Sequence, residues 1–337
     1  MSQRISKIIR RATVAWMAAA LAAGTALPSQ AETLKFLLPW GATSEGNMVV
    51  AQCLMNIIEE TTAGEIKLQK FDNSVVPPFE QFEPVASGVF DLHYTNPAYH
   101  SGNTVIGQLM DTVTPNMEKR HESGLWDMVD EAYQTRNLKV LALGASTGFQ
   151  FFLRNQIGEA GSLEGLKIRS NPAYDGTIRK LGGAPIQLPI TEVYTSLQKG
   201  LIDGTAFPAH GVASSKMWEV ADYMARPMFG QGTTLVAMNL DKWNGLSLEI
   251  QAKMLEAGTR FENECYGAVA EVATRDEDMM KENGMEITEF GTEAASNINQ
   301  YYNEGIWERA EKNGGDEAKE IISFIKDNGL VYAGRED

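Results

Sequence analysis

The chain has 337 residues, 43% apolar and 22% charged, which is typical of a folded protein of about two domains. Its 29 basic and 44 acidic residues give a formal net charge of −15, so a phosphate backbone would be repelled and nucleic acid is excluded as a partner. Two cysteines in a chain of this length exclude a small disulfide-stabilised scaffold.

The N-terminal segment has the order of features found in secretory signal peptides. Four basic residues precede an apolar run over 12–27, and small residues follow up to Ala31. The alternative is a membrane anchor, but about 16 apolar residues are fewer than the roughly 20 that span a bilayer. We therefore expect a signal peptide over 1–31, cleavage after Ala31, and a mature chain in the periplasm that does not insert into the membrane. The sequence leaves the Sec and twin-arginine routes open.

Two stretches of the mature chain each predict the order β-α-β-α-β. In the first copy the predicted elements are a strand at 34–38, a helix from about 44 to 62, a strand at 66–71, a helix at 79–87 and a strand at 89–94. In the second copy they are a strand at 166–169, a helix at 173–181, a strand at 185–188, a helix at 191–199 and a strand at 201–205.

The two copies also share local sequence. A Gly-x-x-Asp motif follows the second helix of each, at 88–91 and at 200–203, and a proline comes a few residues later, at Pro97 and Pro208. Repeated βαβ units favour parallel sheets with helices on both faces, and two copies favour two similar lobes. Ligands of such folds bind beyond the carboxyl ends of the strands, so we expect the site in the cleft between the lobes.

The remaining segments connect or brace the two lobes. A helix at 126–135, strands at 138–143 and 149–154 and a return strand at 233–238 serve as crossovers. Apolar residues spaced by three, four or seven predict a helix over 247–283, roughly 54 Å long, which is enough to brace both lobes. A strand at 285–290 and two polar helices follow. The predicted domains are the signal peptide at 1–31, lobe I at 32–147 with 235–273, lobe II at 148–234 with 274–310, and a helical tail at 311–337.

A serine motif offers an enzymatic alternative. The stretch 144–148 matches G-x-S-x-G around Ser146, and Asp203 and His210 follow in the order found in α/β-hydrolases. A nucleophile elbow needs a helix directly after its serine, whereas 149–153 reads as a strand. The four histidines lack the spacing of a zinc site, and no phosphate-binding glycine loop occurs, so we expect no catalysis, no metal and no cofactor.

Arg169 is the strongest candidate binding residue. It closes the first strand of the second copy, at the end of the lobe that faces the cleft, and Asn171 follows in the adjoining loop. A guanidinium can hold a carboxylate through two parallel hydrogen bonds, which the ammonium of a lysine cannot do. The alternative is a surface arginine paired with an acidic neighbour.

Aromatic residues are concentrated near the predicted strand ends and could cover an apolar or cationic part of a ligand. They are Trp40, Tyr94 and Phe207, with Tyr174 and Trp218 on nearby helices. Each alone is more often part of a core. Polar candidates at the start of the first helix, where backbone N–H groups attract anions, are Thr43, Ser44, Glu45 and Asn47.

Three stretches of the second copy strongly resemble the solute-binding receptors of TRAP (tripartite ATP-independent periplasmic) transporters. They are G-L-K-I-R at 165–169, L-G-G-A-P at 181–185 and T-E-V-Y-T-S-L-Q-K-G-L-I-D-G at 191–204, and the resemblance extends from about residue 34 to 302. It implies a two-lobed α/β periplasmic-binding-protein fold that closes over a small organic acid and delivers it to membrane subunits. Arg169 matches the family arginine that pairs with the ligand carboxylate.

The chain departs from the family at two ligand positions. Phe207 stands where many relatives have asparagine, and a second arginine near 147–148 is missing, for which Arg154 could substitute. We therefore expect a monocarboxylate with an apolar, aromatic or quaternary-nitrogen part rather than a plain dicarboxylate. We also expect the protein to be a monomer. An exported serine hydrolase using Ser146 and a ligand sensor remain the alternatives, and pairing of Cys53 with Cys265 stays open.

Overall fold

The computed structural model describes residues 31–334 except 42, 43 and 189, and at 191, 266 and 268 it describes the backbone alone. The predicted signal peptide, apart from Ala31, and the candidate Thr43 therefore lie outside the described residues. In the described part, no helix is both long enough and apolar enough to cross a membrane.

One mixed sheet contains strands from the first copy and from the crossovers. Its strands are β1 (Glu32–Leu37), β2 (Ile66–Phe71), β3 (Leu92–Thr95), β4 (Leu138–Ala145) and β10 (Thr233–Asn239), in the order β2-β1-β3-β10-β4. Strand β3 pairs parallel to β1, whereas β10 runs antiparallel to both β3 and β4. We call this sheet I.

The other mixed sheet, sheet II, contains the second copy. Its strands are β5 (Phe149–Leu153), β6 (Lys167–Ser170), β7 (Ala184–Gln187), β8 (Gly204–Pro208), β9 (Tyr223–Arg226) and β11 (Glu286–Glu289), in the order β11-β9-β5-β8-β6-β7. Strand β6 is parallel to β7 and β8, and β5 is antiparallel to β8. Two sheets with flanking helices confirm the predicted fold class, while the exact lobe boundaries stay a prediction.

Helices cover both sheets. They are α1 (Glu45–Thr61), α2 (Phe82–Ala86), α3 (Val105–Leu109), α4 (Met117–Glu122), α5 (Leu125–Gln134), α6 (Asp175–Lys180), α7 (Val193–Gln198), α8 (Leu240–Gly245), α9 (Leu248–Glu282) and α10 (Thr292–Asp327). Short 3₁₀ segments connect them, among them Pro97–His100 after β3 and Ala213–Ser215 after β8.

Helix α9 braces both sheets, as the apolar spacing predicts. Its first half lies so close to β4 that a Cβ on Gly258 would be 1.9 Å from the Leu141 carbonyl oxygen. In the same half, the Glu262 carboxylate accepts the Leu143 N–H at 2.7 Å. In its second half, Met280 joins the apolar cluster beneath sheet II. One helix thus packs on both halves of the molecule.

Helix α10 is a second brace, which the sequence analysis did not anticipate. Gly305 packs directly against Gly176 of α6, beside sheet II, and Gly314 packs against Val105 of α3, beside sheet I. The helix axis breaks at Gly315, whose φ of 57° is left-handed, so the predicted pair of helices is present. The close approach depends on glycine because a Cβ at any of these contacts would overlap its neighbour.

A disulfide between Cys53 and Cys265 joins α1 to α9, with the Cα atoms 6.0 Å apart. The sequence left this pairing open because it cannot report a distance across 212 positions. The bond lies in the apolar cluster on the α1 face of sheet I, where Cys265 is buried.

Two predicted strands start later than the sequence pattern suggested. The third strand is Leu92–Thr95 rather than 89–94, and the last strand of the second copy is Gly204–Pro208 rather than 201–205. In the second case Gly200 has a φ of 67° and Leu201 is 61% exposed, so the apolar pair at 201–202 belongs to a turn. Phe207 consequently lies within β8.

Candidate functional site

The Arg169 guanidinium lies at the carboxyl end of β6 and is held on two sides. Its Nε donates to the Leu188 carbonyl at 3.1 Å and its Nη1 to the Tyr174 hydroxyl at 2.7 Å. That hydroxyl donates in turn to the Ala206 carbonyl at 2.9 Å. Arg169 is 6% exposed, and among the described residues it forms no ion pair and its Nη2 has no partner. The arrangement presents a buried, oriented cation without a counter-charge.

Tyr99, on the sheet I side of the molecule, lies within electrostatic range of Arg169. It lies in the 3₁₀ segment after β3, where burial raises the pKa of its hydroxyl although the positive charge of Arg169 acts to lower it. Burial likewise raises the pKa of Tyr174 to about 12 against the same charge. Both phenols therefore remain neutral hydrogen-bonding groups, and Tyr174 contacts the guanidinium directly. The sequence analysis missed Tyr99, which lies outside every predicted strand end.

Aromatic rings continue from Tyr99 along the end of sheet I. The ring centroid of Trp40 lies 6.2 Å from that of Tyr99 and 5.3 Å from that of Tyr94. Tyr94 is fully buried, and its hydroxyl has no hydrogen-bond partner among the described residues. Trp40 is only half-buried, so the cluster offers an aromatic surface at this end of sheet I.

Gln150 is a second residue that the sequence analysis missed. Gln150 lies on β5, directly opposite Phe207 of the neighbouring strand β8. Strand β6 is the other neighbour of β8, and its Arg169 lies opposite Thr205 of β8. Gln150 is 1% exposed, and its Nε2 donor has no partner among the described residues. A buried amide N–H without a partner is unfavourable. Its signal in the sequence was a single polar residue inside the apolar strand F-Q-F-F-L.

The Asp111 carboxylate lies beside Thr233, the first residue of β10. Its Oδ1 accepts the Thr233 N–H at 2.6 Å, whereas its Oδ2 has no partner among the described residues. Burial raises the pKa of this carboxyl to about 7, although hydrogen bonds from Thr233 and the buried positive charge of Arg120 oppose the rise.

Comparison with known proteins decides the family. Residues 45–313 match the model of bacterial extracellular solute-binding protein, family 7 (DctP). The chain belongs to this family. It is 28% identical to the 2,3-diketo-L-gulonate-binding periplasmic protein YiaO of Escherichia coli (strain K12), over 83% of this chain and 88% of that protein. It is 26% identical to the ectoine/5-hydroxyectoine-binding periplasmic protein UehA of Ruegeria pomeroyi, over 69% of this chain and 70% of that protein.

Solved structures share the fold. A TRAP periplasmic solute binding protein from Desulfovibrio salexigens with bound orotic acid superposes with a TM-score of 0.76 at 17% identity, covering 88% of this chain and 98% of that one. DctP7 of Bordetella pertussis, a receptor binding pyroglutamic acid, gives 0.73 at 13% identity, covering 88% and 100%. Together with the family match and the curated relatives, the shared fold confirms the resemblance to TRAP receptors.

Among the described residues, neither Arg154 nor Glu45 forms a hydrogen bond or ion pair with the Arg169 guanidinium. Arg154 follows the end of β5 that pairs with the start of β8, and a Cβ on Gly200 would lie 2.9 Å from its Nη1. It is therefore at the opposite edge of sheet II from the carboxyl ends of β6 and β8. Glu45 forms an ion pair with Arg275 at 3.1 Å.

Asn171 and Trp218 have structural contacts in the receptor. The Asn171 side chain accepts the Ala173 N–H at 2.8 Å and so shapes the turn after β6. Trp218 is half-buried against the same apolar cluster as Phe207. Phe207 itself is half-buried, so part of its ring is available next to Gln150.

The arrangement required of a serine hydrolase is not assembled around Ser146. Strand β5 begins three residues after it, with no intervening helix. The His210 Nδ1 hydrogen-bonds Thr147, and the Asp203 carboxylate accepts the Lys167 N–H at 2.8 Å, at the start of β6. The triad geometry of acyl transfer needs these three side chains in mutual contact.

Proposed function

We propose that this receptor captures a carboxylate-bearing organic solute in the periplasm and delivers it to the membrane subunits of a TRAP transporter. The observation that carries the proposal is the buried Arg169 guanidinium, which Tyr174 and Leu188 orient and which has no carboxylate partner among the described residues. A carboxylate on the solute supplies the missing counter-charge. Its two oxygens match the two N–H directions of the guanidinium.

The body of the solute lies against aromatic surface in this proposal. Phe207 lies two residues after Thr205, which pairs with Arg169, so the ring leaves sheet II on the same face as the guanidinium. A ring cannot donate a hydrogen bond to a second carboxylate, but it covers apolar or cationic surface. We therefore infer a monocarboxylate with a ring or a quaternary nitrogen, and ectoine and pyroglutamate are test compounds that also occur in the names of relatives and neighbours.

A thermal-shift screen of the mature protein tests the ligand class. The panel is pyroglutamate, ectoine, orotate and D-glucuronate, with succinate and malate as dicarboxylate comparators. A ligand at a hundredfold excess over its Kd stabilises the folded state by about 2.7 kcal/mol. We expect a cyclic monocarboxylate to give the largest rise in Tm. A larger rise with succinate or malate than with every monocarboxylate would contradict the ligand class.

Export is tested on the protein recovered from the periplasm. The charged, apolar and small-residue regions of the first 31 residues predict a mature chain that starts at Glu32. Intact-mass spectrometry should give the mass of residues 32–337. A mass that retains residues 1–31 would contradict cleavage after Ala31.

A further inference from the structure

The first turn of α1 touches the chain segment that follows β8. A Cβ on Gly46 would lie 2.7 Å from Cδ2 of His210 and 3.2 Å from the backbone nitrogen of Gly211. Helix α1 packs on sheet I, whereas β8 belongs to sheet II. The two halves of the molecule therefore meet here at a distance that only glycine permits. We call this contact between Gly46 of α1 and His210–Gly211 the seam.

The His210 side chain is held in place for this contact. It is 3% exposed, and its Nδ1 hydrogen-bonds Thr147 in the connection between the sheets. Its Nε2 lies 3.4 Å from Oδ1 of Asn47, on the sheet I side. Asn47 is oriented in turn because its Nδ2 donates to the Ser44 hydroxyl at 2.9 Å. The ring therefore cannot move away freely from Gly46.

An ion pair crosses the same seam. Arg275 lies in the second half of α9, and its guanidinium reaches Glu45, the first residue of α1, at 3.1 Å. The neighbouring Asp276 is 1% exposed, and its Oδ2 is 3.4 Å from the Ala213 N–H, beyond β8. Glu45 is thus tied to a part of α9 that is anchored on sheet II.

We propose that these residues, Glu45–Asn47 with His210–Gly211 and Arg275–Asp276, form a closure latch that sets solute affinity without touching the solute. The latch rests on the proposed function, since it stabilises the arrangement of the sheets in which the solute is enclosed. When the binding-competent state is only partly populated, the apparent Kd rises by the inverse of its population. Weakening the latch therefore weakens binding while the anchor at Arg169 stays intact.

The variant Gly46→Ala tests the steric contact. The added Cβ overlaps His210 when the seam is closed, so the substitution acts against the closed arrangement. We expect the Kd for pyroglutamate or ectoine to rise at least tenfold in calorimetry. The matched control is Gly267→Ala in α9, where no atom lies within 4 Å of an added Cβ and the Kd should not change.

The ion pair between Arg275 and Glu45 can be tested against a second ion pair between the same two helices. Arg275→Gln removes the link to Glu45, while Arg260→Gln removes an ion pair of Arg260 with Glu60 that also joins α9 to α1. Both pairs are partly exposed, so each effect is modest. Arg275→Gln should raise the Kd two- to fivefold and Arg260→Gln should leave it unchanged. Equal effects of the two variants would argue against a role specific to the seam.

A distance measurement on the ligand-free protein separates failure of the latch from failure of the ligand class. Spin labels at Glu59→Cys in α1 and Lys199→Cys after α7 report the separation of the two sheets by electron double resonance. Gly46→Ala should shift the distribution towards longer distances, and Gly267→Ala should not. If no panel compound binds the wild type but this shift appears, the ligand class is wrong and the latch stands. An unchanged distribution would overturn the latch.

Discussion

The Arg169 guanidinium and the Tyr174 hydroxyl are joined by a 2.7 Å hydrogen bond, and the hydroxyl is itself anchored on the Ala206 carbonyl of β8. The cation on β6 is therefore positioned against the strand that carries Phe207. A carboxylate bound to Arg169 has a defined place relative to that ring. In the proposed function, the carboxylate anchor and the selecting ring lie on two adjacent strands of sheet II.

Arg169→Lys should nearly abolish solute binding although the positive charge remains. The ammonium of lysine is a point charge and cannot make the two parallel hydrogen bonds of the guanidinium. Calorimetry with the compound selected by the thermal-shift screen measures the change. Arg179→Lys on α6, whose side chain is 63% exposed, is the matched control and should bind as the wild type does. A loss below about tenfold, or 1.4 kcal/mol, would mean that Arg169 is not the carboxylate anchor.

Phe207→Asn should weaken binding of a cyclic monocarboxylate by about 1–2 kcal/mol, because the aromatic surface is lost. The new amide can donate a hydrogen bond, so succinate or malate should gain affinity relative to the wild type. Competition calorimetry with one compound of each class gives both changes. If neither class responds, the ring serves only as packing in the apolar cluster beneath sheet II.

Gln150→Leu should change stability and affinity in opposite directions. In the ligand-free protein it removes a buried amide donor without a described partner, which costs roughly 1–3 kcal/mol, so the Tm should rise. If that donor serves the solute, the Kd should rise at the same time. A higher Tm with an unchanged Kd would leave Gln150 a structural residue.

Local sequence patterns predicted the structural features that depend on residues close together in the chain. The two β-α-β-α-β copies, α9 and the position of Arg169 at a strand end follow from apolar spacing and glycine stops. Tyr99 could not be found in this way, since it lies in the 3₁₀ segment after β3 and its proximity to Arg169 depends on how distant parts of the chain pack. The contacts of Glu45 with Arg275 and of Gly46 with His210 depend on tertiary distances across more than 160 residues, which no local pattern encodes.

The Cys53–Cys265 disulfide should contribute strongly to the free energy of unfolding. It connects residues 212 positions apart, and closing so long a loop restricts the unfolded chain by roughly 2–5 kcal/mol. Urea denaturation of wild type and of the double variant Cys53→Ser, Cys265→Ser should differ by that amount. Adding a reductant should lower the stability of the wild type alone. Equal stabilities of oxidised and reduced wild type would contradict a structural role for the bond.

Two buried histidines should make the receptor less stable in acid. Burial lowers the pKa of His100 to about 3, and burial together with the charge of His100 holds the pKa of His93 well below its usual 6.5. Below pH 6.5 these two histidines bind protons in the unfolded chain but stay neutral in the folded protein. Their stabilisation is therefore complete above pH 6.5 and is lost as the pH falls, by at most about 1.4 kcal/mol per unit for each group.

The contribution of His93 is best isolated as a difference between proteins, because Asp111 acts in the opposite direction. The raised pKa of Asp111, about 7, makes the folded protein bind a proton that the unfolded chain releases above pH 4, so acid favours folding at that carboxyl. His93→Gln keeps a donor towards Gln81, whose Oε1 lies 3.0 Å from the His93 Nε2, and removes one titrating group. Urea denaturation between pH 7.5 and 4.5 should show a shallower loss of stability for the variant than for the wild type. Parallel curves would mean that His93 is not held neutral by the fold.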